Sequence, residues 1–298
     1  MRLLVTGSQG QVVRALVERA GPELDVLALG RPELDLATAQ DFAPLMAAYE
    51  PDVIVNAAAY TAVDKAESEP DLAFAVNGAG AGAAARAAKA LGVPIVQIST
   101  DYVFDGTGNR PVLETDSTGP IGVYGASKLA GERQVLDATD NCAILRTAWV
   151  YAPYGGNFVR TMLRLAKSRD ELGVVADQWG APTSALDIAA AIEAVARNLA
   201  GAPKDPALRG VFHMTAAGGP VSWAEFATEI FARSAARGGP TARVRPIATT
   251  DYPTPAKRPA WSLLDGAKLE RVHGVVLPDW RDGLRRIIDR LDSAGEWR

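Results

Sequence analysis

Leu3-Leu4-Val5-Thr6-Gly7-Ser8-Gln9-Gly10-Gln11-Val12-Val13 places a short apolar run, a glycine turn and the start of a helical pattern in direct succession. Glycines at this G-x-x-G spacing permit a sharp turn and let backbone amides at a helix N-terminus approach a pyrophosphate. The spacing alone does not distinguish a nucleotide site from an ordinary strand-to-helix turn. The fold is decided by the alternation downstream of it. Residues 26–29, 53–56, 95–100 and 143–146 are further short, continuous runs rich in Val, Ile and Leu, the pattern of strands covered on both faces. Between them, residues 11–20, 38–50, 71–91 and 123–137 have helical composition. Thr38 is the expected N-cap of the second, and Gly92 before Val93-Pro94 is the expected stop of the third. Strand and helix alternating in this way imply an α/β fold with a doubly wound parallel sheet. Gly7 and Gly10 then follow its first strand, where dinucleotides bind.

The second half is less regular. Residues 158–168, 185–198 and 223–237 read as helices, 201–206 as a Gly/Pro turn and 210–215 as a strand. A proline-rich stretch over 240–259 reads as irregular, and 279–291 closes the chain as a helix with Leu284, Ile287, Ile288 and Leu291 on one face. No internal repeat is present. The composition shifts near residue 150. The expected division is a dinucleotide-binding domain over 1–148, with 185–215 packing back onto it. A smaller, mixed α/β C-terminal substrate domain would come from 149–184 and 216–298.

Composition excludes several classes of function. With 31 Lys+Arg against 35 Asp+Glu the net charge is −4, which argues against a broad nucleic-acid interface. No uncharged run approaches the ~20 apolar residues that span a bilayer, so no membrane association is expected. The single cysteine, Cys142, permits no intrachain disulfide and fits a reducing compartment, so the expected location is cytoplasmic. His213 and His273 lie far in sequence from each other and from any acidic or cysteine cluster, so no metal site is expected.

Two patterns carry chemistry. After the second strand the chain reads Gly30-Arg31, with no acid at the tip to bond a ribose 2′-hydroxyl. An arginine there suits the 2′-phosphate of NADP, and a solvated loop arginine is the alternative. The sharper pattern is Tyr124-Gly125-Ala126-Ser127-Lys128, whose Tyr and Lys lie on one helix face. A neighbouring ammonium favours phenolate, lowers the phenol pKa and makes the tyrosine a better proton donor to a carbonyl. Tyr-x-x-x-Lys is common by chance. Here, however, Ser99-Thr100-Asp101-Tyr102 stands at the C-terminal end of the fourth strand, the end that faces the ligand crevice of an open parallel sheet. Thr100 there can share a hydrogen bond with the phenol and a substrate oxygen.

With these residues the chain resembles the extended short-chain dehydrogenases/reductases, whose sheet is of Rossmann type, and among them the reductases of dTDP-linked 4-keto-6-deoxy sugars. The resemblance covers nearly the whole chain. It runs through the strings at 56–67, 99–106, 124–132, 146–151 and 177–183 and through Arg258-Pro259. It implies hydride transfer from NADPH, with NADH as an alternative donor, to the C4 ketone of dTDP-4-dehydro-L-rhamnose, giving dTDP-L-rhamnose. Tyr124 is the implied proton donor. Lys128 orients the nicotinamide ribose and tunes Tyr124, and Thr100 completes the triad. Gly10, Gln11 and Val12, Asp35 and Leu36, and Ala59, Tyr60 and Thr61 match cofactor contacts. Thr100, Asp101 and Trp149 match substrate contacts, and Arg258 is the expected partner of the substrate diphosphate. For Trp149 the competing reading is an ordinary core aromatic. Two departures stand out. Val13 replaces the third glycine and is expected to set the first helix outward. Arg14-Ala15 lacks the first-helix acid with which some members hold a magnesium ion between subunits, so no metal bridge is expected in a monomer or homodimer. The rival readings are reduction of another dTDP-4-keto sugar and a non-catalytic NADP-binding regulatory subunit.

Overall fold

The computed structural model describes residues 1–296. In chain order the first half runs β1 (Arg2–Thr6), α1 (Gln11–Val17), β2 (Asp25–Leu29), α2 (Ala43–Ala47), β3 (Val53–Asn56), α3 (Val63–Ala66), α4 (Pro70–Phe74), α5 (Gly80–Leu91), β4 (Ile95–Thr100), α6 (Val123–Ala138) and β5 (Cys142–Thr147). The remainder comprises β6 (Val150–Tyr151), α7 (Phe158–Ala166), β7 (Glu171–Val175), β8 (Trp179–Gly180), β9 (Thr183–Ser184), α8 (Ala185–Gly201), β10 (Gly210–His213), β11 (Val221–Ser222), α9 (Trp223–Ala235), β12 (Arg243–Ile247), α10 (Ala267–His273) and α11 (Trp280–Ser293).

Six strands form one sheet in the order β10-β5-β4-β3-β1-β2, every neighbouring pair parallel. Alternate side chains along each strand enter different cores. Leu3, Val5, Val53, Val55, Val96 and Leu145 pack with α1 and α8, whereas Leu4, Ile54, Ile95 and Ile144 pack with α2 and α5. Burial on both faces is why these strands read as unbroken apolar runs. The order steps outward from β1 in both directions, to β2 on one side and to β3 on the other. The crevice at this switch point opens at the C-terminal strand ends.

A third core joins Tyr151, Val159, Leu163, Phe226, Ile230, Trp280, Leu284 and Ile288, from β6, α7, α9 and α11. Ion pairs tie this part to the sheet layers: Arg290 grips Glu18 after α1 at 2.7 Å, and Arg286 pairs with Asp187 of α8 at 2.5 Å.

Three sequence expectations need correction. Residues 38–50 are not one helix, and Thr38 caps nothing. Asp35 accepts from the Ala37 amide at 3.0 Å and caps a 3-10 turn over Leu36–Thr38, which Ala39 ends in the left-handed region at φ 46°. The Thr38 hydroxyl donates back to the Asp35 carbonyl. Residues 71–91 do form helix, but Ala75–Ala79 adopts a π turn within it, a feature met often at functional sites. The proline-rich stretch hides β12, which pairs in parallel with β7. Leu172 and Val174 of β7 enter the third core with Val244 of β12 against it, and Arg243 and Arg245 both pair with Glu171 on the outer face. Pro246 is tolerated because a two-stranded ribbon has only edge strands.

Candidate active site

Gly7 takes φ 96°, a conformation that side chains disfavour, and turns the chain from β1 toward α1. Its amide is tied to the Leu29 carbonyl at 2.5 Å, which holds the turn beside the end of β2. Gly10 is exposed and precedes α1 with no side-chain cap. The first-turn amides, including those of Gln11 and Val12, are therefore left to a ligand, and the turn fits a dinucleotide diphosphate. Val13 is buried beneath the turn, with a methyl that would lie 3.4 Å from a Cβ on Gly7. Arg31, just past β2, is exposed and forms no ion pair among the described residues. Asp35 Oδ1 accepts from the Ala37 amide of its own turn and Leu36 is core, so Leu36 offers a cofactor only its backbone.

Ala59, Tyr60 and Thr61 follow the C-terminal end of β3. The Tyr60 amide donates to Asn77 Oδ1 at 2.8 Å, and Asn77 Nδ2 donates to the Tyr60 carbonyl at 3.0 Å and to Ser127 Oγ at 2.9 Å. Ser127 Oγ in turn donates to the Tyr124 carbonyl. Asn77, in the π turn, thus connects the loop after β3 to the helix bearing Tyr124 and Lys128. That helix lies close to the strand ends because Gly125 faces the Tyr102 carbonyl, where any Cβ would collide.

Thr100, Asp101, Tyr124 and Lys128 come together at the end of β4. Thr100 Oγ1 donates to Asp101 Oδ1 at 2.9 Å and accepts from the Tyr102 amide at 3.2 Å. Lys128, 4% exposed, donates from Nζ to the Ile98 carbonyl at 2.6 Å and keeps its other N–H groups for a ligand. Burial pulls the Lys128 ammonium down to about 8, and the Glu132 carboxylate one turn along partly offsets this. Glu132 is itself gripped by the buried Arg146 at 2.6 Å.

The expectation that Lys128 lowers the Tyr124 pKa is not met in the free protein. Burial raises it, the Asp101 carboxylate raises it further, and the Thr100 hydroxyl pulls the other way with a smaller effect. Asp101 is pushed up to about 6, by burial above all, with the Thr100 hydroxyl opposing. Ser262 lies near enough to help hold that charge, but its hydroxyl is spent on the Trp179 carbonyl at 3.2 Å, and Asp101 Oδ2 has no hydrogen-bond partner.

Trp149 follows β5, whose Thr147 lies opposite Thr100, so its ring stands at the same end of the sheet. It is half buried and stacks on Trp223. Arg258 pairs through Nη2 with Asp64 at 2.7 Å, while its buried Nη1 has no partner. It also lies against Tyr102, whose ring meets that of Tyr124 edge-on at 5.4 Å. The guanidinium therefore sits beside the Tyr102 ring, one residue contact removed from Tyr124. Asn77, Asp64, Ser262 and Trp223 were not singled out in the sequence. Only Asn77 carried a local signal, as the one amide in a run of Ala and Gly.

This arrangement can bind a dinucleotide along the switch-point crevice and present a phenol and a threonine hydroxyl to a carbonyl oxygen. Among the described residues no group of three His, Cys, Asp or Glu stands where it could hold a metal ion, and no helix is long and apolar enough to cross a membrane.

Comparison with known proteins agrees with this geometry. The family model described as RmlD substrate binding domain matches residues 1–293. The dTDP-4-dehydrorhamnose reductase of Sinorhizobium fredii is 51% identical over 296 residues, covering 99% of both chains. That of Escherichia coli is 41% identical over 297 residues, covering 98% of both. The crystal structure of a dTDP-4-dehydrorhamnose reductase from Clostridium acetobutylicum superposes with a TM-score of 0.89 at 39% identity, over 98% of this chain and 99% of that one. One from Bacillus anthracis, solved in complex with NADP, gives a TM-score of 0.88 at 36% identity, over 97% of this chain and 99% of that one.

Proposed function

The chain belongs to the RmlD substrate-binding-domain family, and we propose that it is an NADPH-dependent dTDP-4-dehydrorhamnose reductase that converts dTDP-4-dehydro-L-rhamnose to dTDP-L-rhamnose. The observation that carries the reading is the grouping of Thr100, Tyr124 and Lys128 at the crevice end of β4, in a chain similar over its full length to reductases of that name. When bound, the nicotinamide supplies the hydride that reduces the sugar's C4 ketone.

The chain's own residues do the rest. The amides of Gly10, Gln11 and Val12 receive the cofactor diphosphate, and Arg31, which forms no ion pair among the described residues, meets the 2′-phosphate. Lys128 is fixed by the Ile98 carbonyl and offers its remaining N–H groups to the nicotinamide ribose. Tyr124 donates the proton. A half-buried phenol with a raised pKa stays neutral across the working range and keeps its proton until a stronger base appears. An alkoxide is such a base, so proton transfer from Tyr124 runs downhill although Lys128 does not acidify it in the free protein. Thr100 steers the hydroxyl, and Asp101 and Trp149 contact the sugar. Arg258 Nη1, buried and unpartnered, turns to the substrate diphosphate while Nη2 remains on Asp64. The enzyme acts in the cytoplasm, as a monomer or homodimer, on a free nucleotide sugar.

The test is NADPH oxidation by the purified chain against a panel of dTDP- and GDP-linked 4-keto-6-deoxy sugars. dTDP-4-dehydro-L-rhamnose should give the highest kcat/KM. Preference for another 4-keto sugar would reassign the substrate, and no turnover with any would favour a regulatory protein.

A further inference from the structure

We propose that Trp223 is a positioning residue for the sugar end of the site, fixing the Trp149 indole at the pitch in which it meets the hexose. The inference rests on the reading of Trp149 as a substrate contact. Trp149 has φ 50°, a left-handed backbone that a bulky side chain seldom adopts and that persists only where the surroundings over-determine it. Two surroundings do so. The indole of Trp223 lies on that of Trp149 with ring centroids 3.5 Å apart and planes within 5°. A Cβ on Gly180 would stand 2.7 Å from Ser262 Oγ and, at the pyrrole side of the Trp149 ring, 2.8 Å from Cε2 and 2.9 Å from Nε1, so only a glycine leaves room for the ring and the serine beside it.

Both walls belong to one small frame. Gly180 ends β8, which pairs antiparallel with β11, Val221 lying opposite Gly180 and Ser222 opposite Trp179. Ser222 then caps α9 in a reciprocal box with Glu225, and Trp223 is the first residue of that helix. The Trp149 carbonyl is held separately, by the Thr183 amide at 3.2 Å. Backbone, face and edge of Trp149 are therefore all fixed, while the residue stays half-buried and follows directly on the strand whose Thr147 lies opposite Thr100. A core aromatic needs no such arrangement. A ring that must present one orientation to a sugar does.

The experiment compares Trp149→Leu, Trp223→Leu, Trp223→Phe, Gly180→Ala and the double variant Trp149→Leu/Trp223→Leu. The readouts are KM for dTDP-4-dehydro-L-rhamnose, the inhibition constant of dTDP, which lacks the sugar, and NADPH affinity. An aromatic stack is worth about 0.5–1.5 kcal/mol, so Trp223→Leu should raise the sugar-nucleotide KM roughly two- to tenfold. dTDP inhibition and NADPH affinity should stay unchanged, and Trp223→Phe should recover part of the loss. Gly180→Ala, which keeps Trp223 but displaces the Trp149 ring, should produce the same pattern even if Trp223→Leu fails to fold. The double variant should be no worse than Trp149→Leu alone. A KM rise in Trp149→Leu with none in Trp223→Leu or Gly180→Ala overturns the positioning role and leaves the sugar contact standing. Equal weakening of dTDP and sugar nucleotide overturns it as merely structural. No KM change in Trp149→Leu overturns the sugar contact itself, and the inference with it.

Discussion

Replacing Asp101 by Asn should make the free protein more stable at neutral pH and leave it a poorer enzyme. Asp101 is 3% exposed, and one carboxylate oxygen takes the Thr100 hydroxyl while the other has no partner. Burial raises its pKa from 3.8 to about 6. The folded chain therefore holds a proton that the unfolded chain has already released between those values. Stability falls wherever the folded state binds more protons as pH rises, so the loss accumulates from about pH 4 to pH 6 and is complete above that. Roughly two units at 1.36 kcal/mol each come to about 3 kcal/mol. Asn keeps the size and the acceptor for Thr100 but cannot ionise. The assay is urea unfolding of parent and variant at steps from pH 4 to pH 8, in which every other titration cancels in the difference. The variant's advantage should grow by about 3 kcal/mol between pH 4 and pH 6.5 and then level off, while its KM for the nucleotide sugar rises. Parallel profiles, or an advantage that shrinks with rising pH, would refute the reasoning.

Tyr124→Phe should lower kcat by roughly 10²–10⁴ and leave NADPH binding nearly intact, because general-acid help is lost while the phenol adds little to cofactor affinity; near-normal turnover would remove Tyr124 from the mechanism. Arg31→Ala should weaken NADPH about ten- to a hundredfold more than NADH, the worth of a charge-assisted bond to the 2′-phosphate. Equal loss for both in fluorescence titration would make Arg31 a solvated loop residue. Exhaustive EDTA treatment should leave turnover and sedimentation unchanged, since the proposed proton transfer needs no Lewis acid; recovery of lost activity on adding Mg²⁺ would contradict this.

The strands of the main sheet were legible because burial on both faces leaves continuous apolar runs such as Ile95–Val96 and Ile144–Leu145. β7 and β12 were not, because β7 buries only Leu172 and Val174, too short an alternation to stand out, and β12 carries two exposed arginines and Pro246, which mimics a loop. The break between Thr38 and Ala43 was hidden because Asp35, three residues before the threonine that looks like a cap, supplies the cap instead. Tyr124 and Lys128 were readable because helix geometry fixes their relation, and Thr100 because it ends a strand. Arg258–Asp64 spans 194 residues and Trp149–Trp223 bridges separate elements, so neither leaves a local trace. The direction of the Tyr124 shift was also out of reach. It depends on how deeply the phenol is buried and on Asp101, and neither is set by the four-residue spacing to Lys128.

The central claim is that this chain moves a hydride from NADPH to C4 of a dTDP-linked keto sugar and that Tyr124 supplies the proton. The most direct measurement is NMR of the product formed from dTDP-4-dehydro-L-rhamnose with NADPH deuterated at both nicotinamide C4 positions. The account predicts dTDP-L-rhamnose carrying one deuterium, at C4 of the hexose, formed by the parent at least about a hundred times faster than by Tyr124→Phe. Deuterium elsewhere in the sugar, an unreduced ketone, or equal rates for the two proteins would contradict it.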